Sequence, residues 1–428
     1  MKIVRFFIIA YCLFALYTCI DGQSPADLSR SRALERSALA SYRAKDYAAF
    51  LRDIKQAADL RPDLPRLIYN LAGAYALNGN PDESVALIDR LIAMGVFFDF
   101  ERDDDFASLG ASRLMEIGKR ARANNVATNS STRAFTLPDR EMIPEGIAYD
   151  PVSRRFFVGS IHQGRIVSVD QNGRSVDFSA PNDGLWSVSG MAVDADRRIL
   201  WATTSSFPQF AGYKPSEKGR AGIFKYDLNT GKLLDKFFAP AGDGEHALGD
   251  LTLGRSGRVY ITDSISPVIY TIAPNGKVLE TFIRDETFSS LNGITFDTSG
   301  KTLYVSDYTN GVYRIDVLSK KFVQIKPSKN VTLIGIDGLY FFRGDLIATQ
   351  NGVSPQRVVR FSLNPTKTEI TAFRTLEANH PDFLEPTLGV IVKGDLFFVA
   401  NSQWPLIDEK GVFATDKLRE PIVLKLKL

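Results

Sequence analysis

The chain has 428 residues, 44% hydrophobic and 24% charged, the proportions of a globular protein long enough for two folded units. A formal charge of +3, with no basic run interleaved with aromatics, sets nucleic acid aside as a partner. The two cysteines, Cys12 and Cys19, lie within the first 24 residues, which excludes disulfides, thiolate metal sites and cysteine nucleophiles from everything that follows.

At the start, Lys2 and Arg5 precede a nearly unbroken apolar stretch from Phe6 to Ile20, and Asp21-Gly22-Gln23-Ser24 turns small and polar. This layout predicts a cleaved secretory signal over residues 1–24 and a secreted or periplasmic protein without membrane association after cleavage. The apolar run is short for a spanning helix, which needs about 20 residues. The alternatives are an uncut anchor and lipid attachment at Cys19, since Leu16-Tyr17-Thr18-Cys19 loosely resembles a lipoprotein box.

Residues 25–123 read as helical: Ala, Leu, Arg and Glu dominate, and apolar positions recur at three and four residues. Two units of about 34 residues superpose. Leu34, Ala38, Ala57 and Leu60-Arg61-Pro62-Asp63 mark the first, and Ile68, Leu71, Ala72, Tyr75, Gly79 and Leu91 mark the second. Small residues where paired helices meet, with a closing proline, resemble the tetratricopeptide repeat. A third, irregular helix is predicted over Asp105–Arg122. Two units are few for a free-standing solenoid, so the segment is expected to pack on the rest of the chain or on a second chain. It serves either as a structural appendage or as a groove for a protein partner. The polar stretch 124–132 reads as a linker.

From residue 133 to 428 the period changes to two, with short strands separated by Gly, Asp, Asn and Pro. One unit repeats six times. It begins Glu145-Gly146-Ile147, Ser189-Gly190-Met191, Gly249-Asp250-Leu251, Asn292-Gly293-Ile294, Asp337-Gly338-Leu339 and Leu388-Gly389-Val390, at spacings of 44, 60, 43, 45 and 51 residues. That spacing predicts four strands per unit and a six-bladed β-propeller, a mainly β fold behind an α-helical segment. The last unit has no residues left for a fourth strand, and 133–137 is expected to supply it and close the ring.

In such a blade the innermost strand starts at the face to which the loop between strands two and three returns. Glu145, Ser189, Gly249, Asn292, Asp337 and Leu388 should therefore ring one mouth of the central channel. Two carboxylates and a carboxamide, without sulfur or imidazole, suit a hard divalent cation; the same residues before glycine also serve as turn formers. His162, His246 and His380 map to the same side, as proton shuttles or surface residues. Asp263 and Asp307 end second strands there, as supporting acceptors or turn caps. An insertion from Ser205 to Gly222, carrying Phe207, Phe210 and Tyr213, is predicted to cover part of the mouth, with Asn401 to Pro405 on the same rim.

Glu-Gly in blade one, Asn-Gly in blade four and Asp-Gly in blade five resemble the regucalcin/gluconolactonase (senescence-marker-protein) family of six-bladed propellers, over residues 133–428. The resemblance implies a metal-dependent hydrolase of a small lactone or ester. Glu145, Asn292 and Asp337 would be metal ligands, and Asp337 also the general base. Independently of the resemblance, His162 in the blade-one loop is a second catalytic candidate. The cation would be Ca2+ in the first instance, with Mg2+, Mn2+ or Zn2+ as alternatives. The family's blade-three asparagine is replaced by Gly249. A one-residue shift along a strand turns a side chain away, so Asp250 substitutes only if the strand bulges; otherwise water fills the gap or the metal site is lost. The rival reading is a non-catalytic extracytoplasmic scaffold. No Gly-x-Ser-x-Gly elbow, Gly-rich phosphate cradle or His-Glu-x-x-His helix occurs.

Overall fold

The computed structural model describes residues 24–408 and 410–428. The expected leader, with Cys12 and Cys19, lies outside the described residues apart from Ser24. Helix α1 (Pro25–Arg43) opens on a capping box in which Ser24 Oγ accepts from Asp27 N–H and the Asp27 carboxylate accepts from Ser24 N–H. Helices α2 (Tyr47–Leu60), α3 (Pro65–Leu77) and α4 (Pro81–Ala93) follow. Pro65 and Pro81 sit in first turns, where no N–H is required. Buried Ala38, Ala57, Ala58 and Ala74 let the helices approach closely around Phe50 and Ile54. The irregular helix expected over Asp105–Arg122 is two elements, a 3-10 turn (Asp104–Leu109) and helix α5 (Ala111–Asn124), parted at Gly110 where φ is 80°. No helix of the described residues is long and apolar enough to cross a membrane.

The remainder is the expected six-bladed propeller. The innermost strands are Pro144–Asp150, Ser187–Asp194, Leu248–Leu253, Leu291–Phe296, Ile336–Phe342 and Gly389–Val392. Blade six takes Thr132–Thr136 as its outer strand against Ile422–Lys427, so the two ends of the ring share one sheet. Blade five gains a short parallel strand, Lys326–Pro327. Both faces of each blade are covered by its neighbours, which is why the strands are apolar on both sides: Phe157 of blade one packs with Leu200, Ala202 and Phe224 of blade two. The stretch 124–132 is tied down rather than loose. Thr128 bridges Ala378, and the N–H groups of Ser130 and Ser131 donate to buried Glu377.

Blades one to five repeat one irregularity that decides the chemistry of the mouth. The innermost strand slips register against its neighbour between Pro144 and Ile147, Val188 and Met191, Leu248 and Leu251, Leu291 and Ile294, and Ile336 and Leu339. Each slip is a β-bulge, which re-aims side chains that alternation alone would send elsewhere. Adjacent inner strands touch there through backbone. A Cβ on Gly146 would fall 1.9 Å from the Ser189 carbonyl oxygen, and one on Gly293 would fall 2.5 Å from the Leu339 nitrogen. The Gly that follows Glu145 and Asn292 is thus a condition for closing the ring.

The helical segment docks on blades four and five at the mouth. Arg61 donates to Thr309 O, Arg32 Nη2 to Ser289 Oγ (2.6 Å) and Phe97 N–H to Ser354 O (2.6 Å). Buried Arg357 of blade five donates back to Met94 O and Gly95 O at 3.1 and 3.0 Å.

Candidate active site at the channel mouth

Glu145, Asn292 and Asp337, from blades one, four and five, line one cavity of about 290 Å3. Asp250 of blade three and Glu385, in the loop entering blade six, line it too, and among the described residues no Lys, Arg or His does. Four carboxyl groups without a cationic side chain are thus held among protein atoms. Burial pushes Glu145 well above the usual carboxylate range, and the charge of Asp337 adds to it. Burial alone raises Asp337 to about 6, against the hydrogen bond from Asn351. Asp250 and Glu385 are each raised to about 7, by burial first and then by Asp337.

Blade three departs from the others in the way the bulge permits. Both bulge residues, Gly249 and Asp250, border the cavity, whereas in blades one, four and five the second is a glycine that does not. The reversal of the Gly therefore does not turn the carboxylate away. Asp250 Oδ1 accepts from its neighbour Leu251 N–H at 2.8 Å. The space a Cβ on Gly249 would enter holds Ser264 Oγ, 2.8 Å away, and that hydroxyl lies 2.9 Å from Asn292 Oδ1. Ser264 fills the place that a blade-three side chain would occupy and steadies Asn292.

The remaining lining orients these groups. Asn351 Nδ2 donates to Asp337 Oδ2 (2.8 Å) and to Pro386 O, while Asn351 Oδ1 is buried without a hydrogen-bond partner. Trp404 Nε1 donates to Glu145 Oε2 at 2.8 Å. Phe207, from the blade-two insertion, meets Trp404 edge to face at 6.4 Å and completes an apolar wall. The insertion and the 401–405 rim lie at the mouth as the sequence predicts.

The histidines sit elsewhere. The His162 Nδ1–H donates to Gln209 O (2.7 Å) and its ring packs on Phe413, so it anchors the base of the insertion instead of lining the cavity. His246 is buried in blade three with Nδ1–H donating to Asp263 at 2.7 Å, and His380 Nδ1 accepts from Asp382 N–H. None of the three borders the cavity. Asp263 and Asp307 face inward as turn caps, accepting from backbone N–H groups at Ala247, Ile265 and Ser266 and at Ser289, Thr309 and Asn310. The mouth position is one residue further on. Ser264, Tyr308 and Asn351 follow the strand residues paired with Leu248, Leu291 and Ile336, and all three line the cavity. Sequence reasoning missed Asn351 and Glu385. The Gln350-Asn351-Gly352 end of a second strand was a readable signal for the first; Glu385, in a left-handed turn (φ 64°) ahead of Pro386, gives none.

These raised carboxyls make a prediction. Between about pH 4, where carboxyls of an unfolded chain ionise, and about 7, where Asp250 and Glu385 ionise when folded, the folded state holds more protons than the unfolded one. Stability of the metal-free protein therefore falls as pH rises through that window. Urea unfolding in chelator at pH 5 and pH 8 checks this, and the midpoint is expected to be lower at pH 8.

Among the described residues no three His, Cys, Asp or Glu side chains gather into a metal cage of their own. A set that could hold a cation is mixed: Glu145 and Asp337 with the Asn292 amide, and Asp250 and Glu385 as further negative charge on the wall. These are hard oxygen donors in a cavity short of positive charge, which suits Ca2+ or Mg2+.

No protein-family profile matches the chain, and no curated protein does. Solved structures share its propeller. A gluconolactonase from Xanthomonas campestris is 16% identical with a TM-score of 0.46, over 70% of this chain and 97% of that one. A calcium-binding regucalcin from Agrobacterium tumefaciens is 18% identical with a TM-score of 0.48, over 69% and 95%. An aldose sugar dehydrogenase from Streptomyces coelicolor, with pyrroloquinoline quinone bound, is 14% identical with a TM-score of 0.48, over 71% and 98%. At these identities the likeness is one of fold.

Proposed function

We propose that the chain is an exported, divalent-cation-dependent hydrolase of a small lactone or ester, working at the channel mouth. One observation carries this reading: four carboxyls and two amides, from five blades or their loops, border a single small cavity in which no cationic side chain is found among the described residues. Such charge is costly to bury unpaired, and a cation held by Glu145, Asp337 and Asn292 would offset it while supplying Lewis acidity toward a carbonyl oxygen. The chain's own residues do the rest. Asp337, ionised above about 6, is matched to general-base work near neutrality. With Oδ2 held by Asn351, it takes a proton from the attacking water. As the acyl C–O bond breaks, the same carboxyl returns that proton to the leaving alkoxide. Trp404 and Phe207 limit bulk water at the reacting centre. Asp250, beside Gly249 on the blade-three bulge, also borders the cavity and supports the hydrolase reading over the scaffold. A cavity bordered by carboxylates is also a poor host for an anionic quinone cofactor such as the sugar dehydrogenase carries.

The test is thermal unfolding with Ca2+, Mg2+ or Mn2+ against chelator, together with hydrolysis of a lactone panel. A ligand of the native state alone must raise Tm, by an amount equivalent to about 2.7 kcal/mol at a hundredfold excess over Kd. Absence of a shift with every ion, and of turnover with every lactone, would return the chain to the scaffold class.

A further inference from the structure

A second cavity, of about 770 Å3, lies between the helical segment and blades four and five. It abuts the first, because Tyr308 and Asn351 line both. The charge reverses across that wall. Among the described residues, the mouth cavity is lined by four carboxyls and no cationic side chain, whereas this one is lined by Arg32, Arg61 and Arg66, the last paired with Glu35, and by no carboxylate. The rest of its lining is largely apolar, led by Phe97, Phe98 and Ile334. Arg61 is only 5% exposed; its Nη2 donates to Thr309 O and Asn310 Oδ1, and among the described residues it makes no ion pair by contact and its Nε and Nη1 have no hydrogen-bond partner. A buried guanidinium with spare donors facing an apolar chamber is complementary to an oxyanion on an apolar body.

We propose that this chamber binds the distal part of the substrate, an apolar tail ending in a carboxylate or phosphate whose oxyanion pairs with Arg61. The proposal rests on the hydrolase reading only for what lies in the mouth. A cavity of about 290 Å3 accepts little beyond a lactone ring or ester group, since sites for larger ligands run from about 300 to 1,000 Å3. The helical segment thereby acquires a function: α3 and the loop after α4 form one wall of the chamber, and Arg61 follows α2 directly.

Decanoate, decyl phosphate and uncharged decanol, below their aggregation concentrations, are the probes, measured by titration calorimetry on the full chain. Both anions are expected to bind, and decanol about tenfold or more weaker, the scale of one charge-assisted contact. Arg61→Gln should remove the preference for the anions, and Arg61→Lys should restore part of it. Should Arg61→Gln not fold, Val353→Trp, which fills the chamber from a blade-five loop, must abolish binding of all three. Equal binding of decanol and decanoate, no binding by the native protein, or anion binding indifferent to Arg61→Gln and Val353→Trp overturns the proposal. Asp337→Asn should leave decanoate binding intact, so a failed hydrolase reading and a failed anion chamber give different results.

Discussion

Asp337→Asn is expected to abolish most of the hydrolysis while making the metal-free protein more stable. The half-buried carboxyl is held at about 6 by the protein around it, and its charge adds to the upward shift of Glu145, Asp250 and Glu385. Above pH 6 the folded state carries it ionised at a cost, because one unit of upward shift corresponds to about 1.4 kcal/mol against folding. Asparagine has the same shape, keeps an acceptor for Asn351 Nδ2 and carries no charge. At pH 8 it should stabilise the metal-free protein by on the order of 2 kcal/mol, an advantage that vanishes near pH 4. Loss of a general base costs about a hundred- to ten-thousandfold in turnover, and the Tm increment from added cation should shrink alongside it. Gains in stability with loss of activity mark a residue kept for function. Lactone turnover and chelator-treated melts at pH 5 and pH 8 read all of this, and a variant both fully active and no more stable at pH 8 would contradict the assignment.

Arg357→Ala is expected to loosen the helical segment from the propeller. Arg357 is 1% exposed and has no carboxylate partner among the described residues; burial lowers it to about 10. Its Nη1 donates to the carbonyls of Met94 and Gly95 at the C-terminal end of α4, where the helix dipole favours a cation. Its Nε donates to Gln350 Oε1 at 2.7 Å, and the guanidinium lies over Phe373 at 5.1 Å. Gly95 makes the contact possible: its φ of 68° closes the helix, and a Cβ there would come 2.8 Å from Arg357 Nη1. Truncation strands these acceptors and leaves a cavity, a combination worth about 3–5 kcal/mol. Hydrogen exchange should show protection falling in α4 and the 94–97 turn well before the blades, and decanoate affinity should fall with it. Uniform protection across both units would mean that other contacts hold the segment.

What the residues determine by themselves is periodic. Alternation of apolar residues over five or six positions, glycine punctuation and a repeat near 45 residues define strands, blades and ring closure, because each depends on neighbours within one blade. The same logic brings Glu145, Asn292 and Asp337 to one rim, since equivalent positions in equivalent blades must be near one another in a closed ring. Tertiary structure alone decided the rest. Whether Asp250 faces the mouth depends on a bulge, a relation between two strands that alternation within one strand does not contain. The same register placed Asp263 and Asp307 inward and moved the mouth position to Ser264, Tyr308 and Asn351. Glu385 and the arginine-lined chamber belong to a loop and to the seam between the two units. Their positions are set by what they pack against, often hundreds of residues away in the chain, as Arg61 is from Thr309 and Arg357 from Met94. Local period carries no information about such distant contacts.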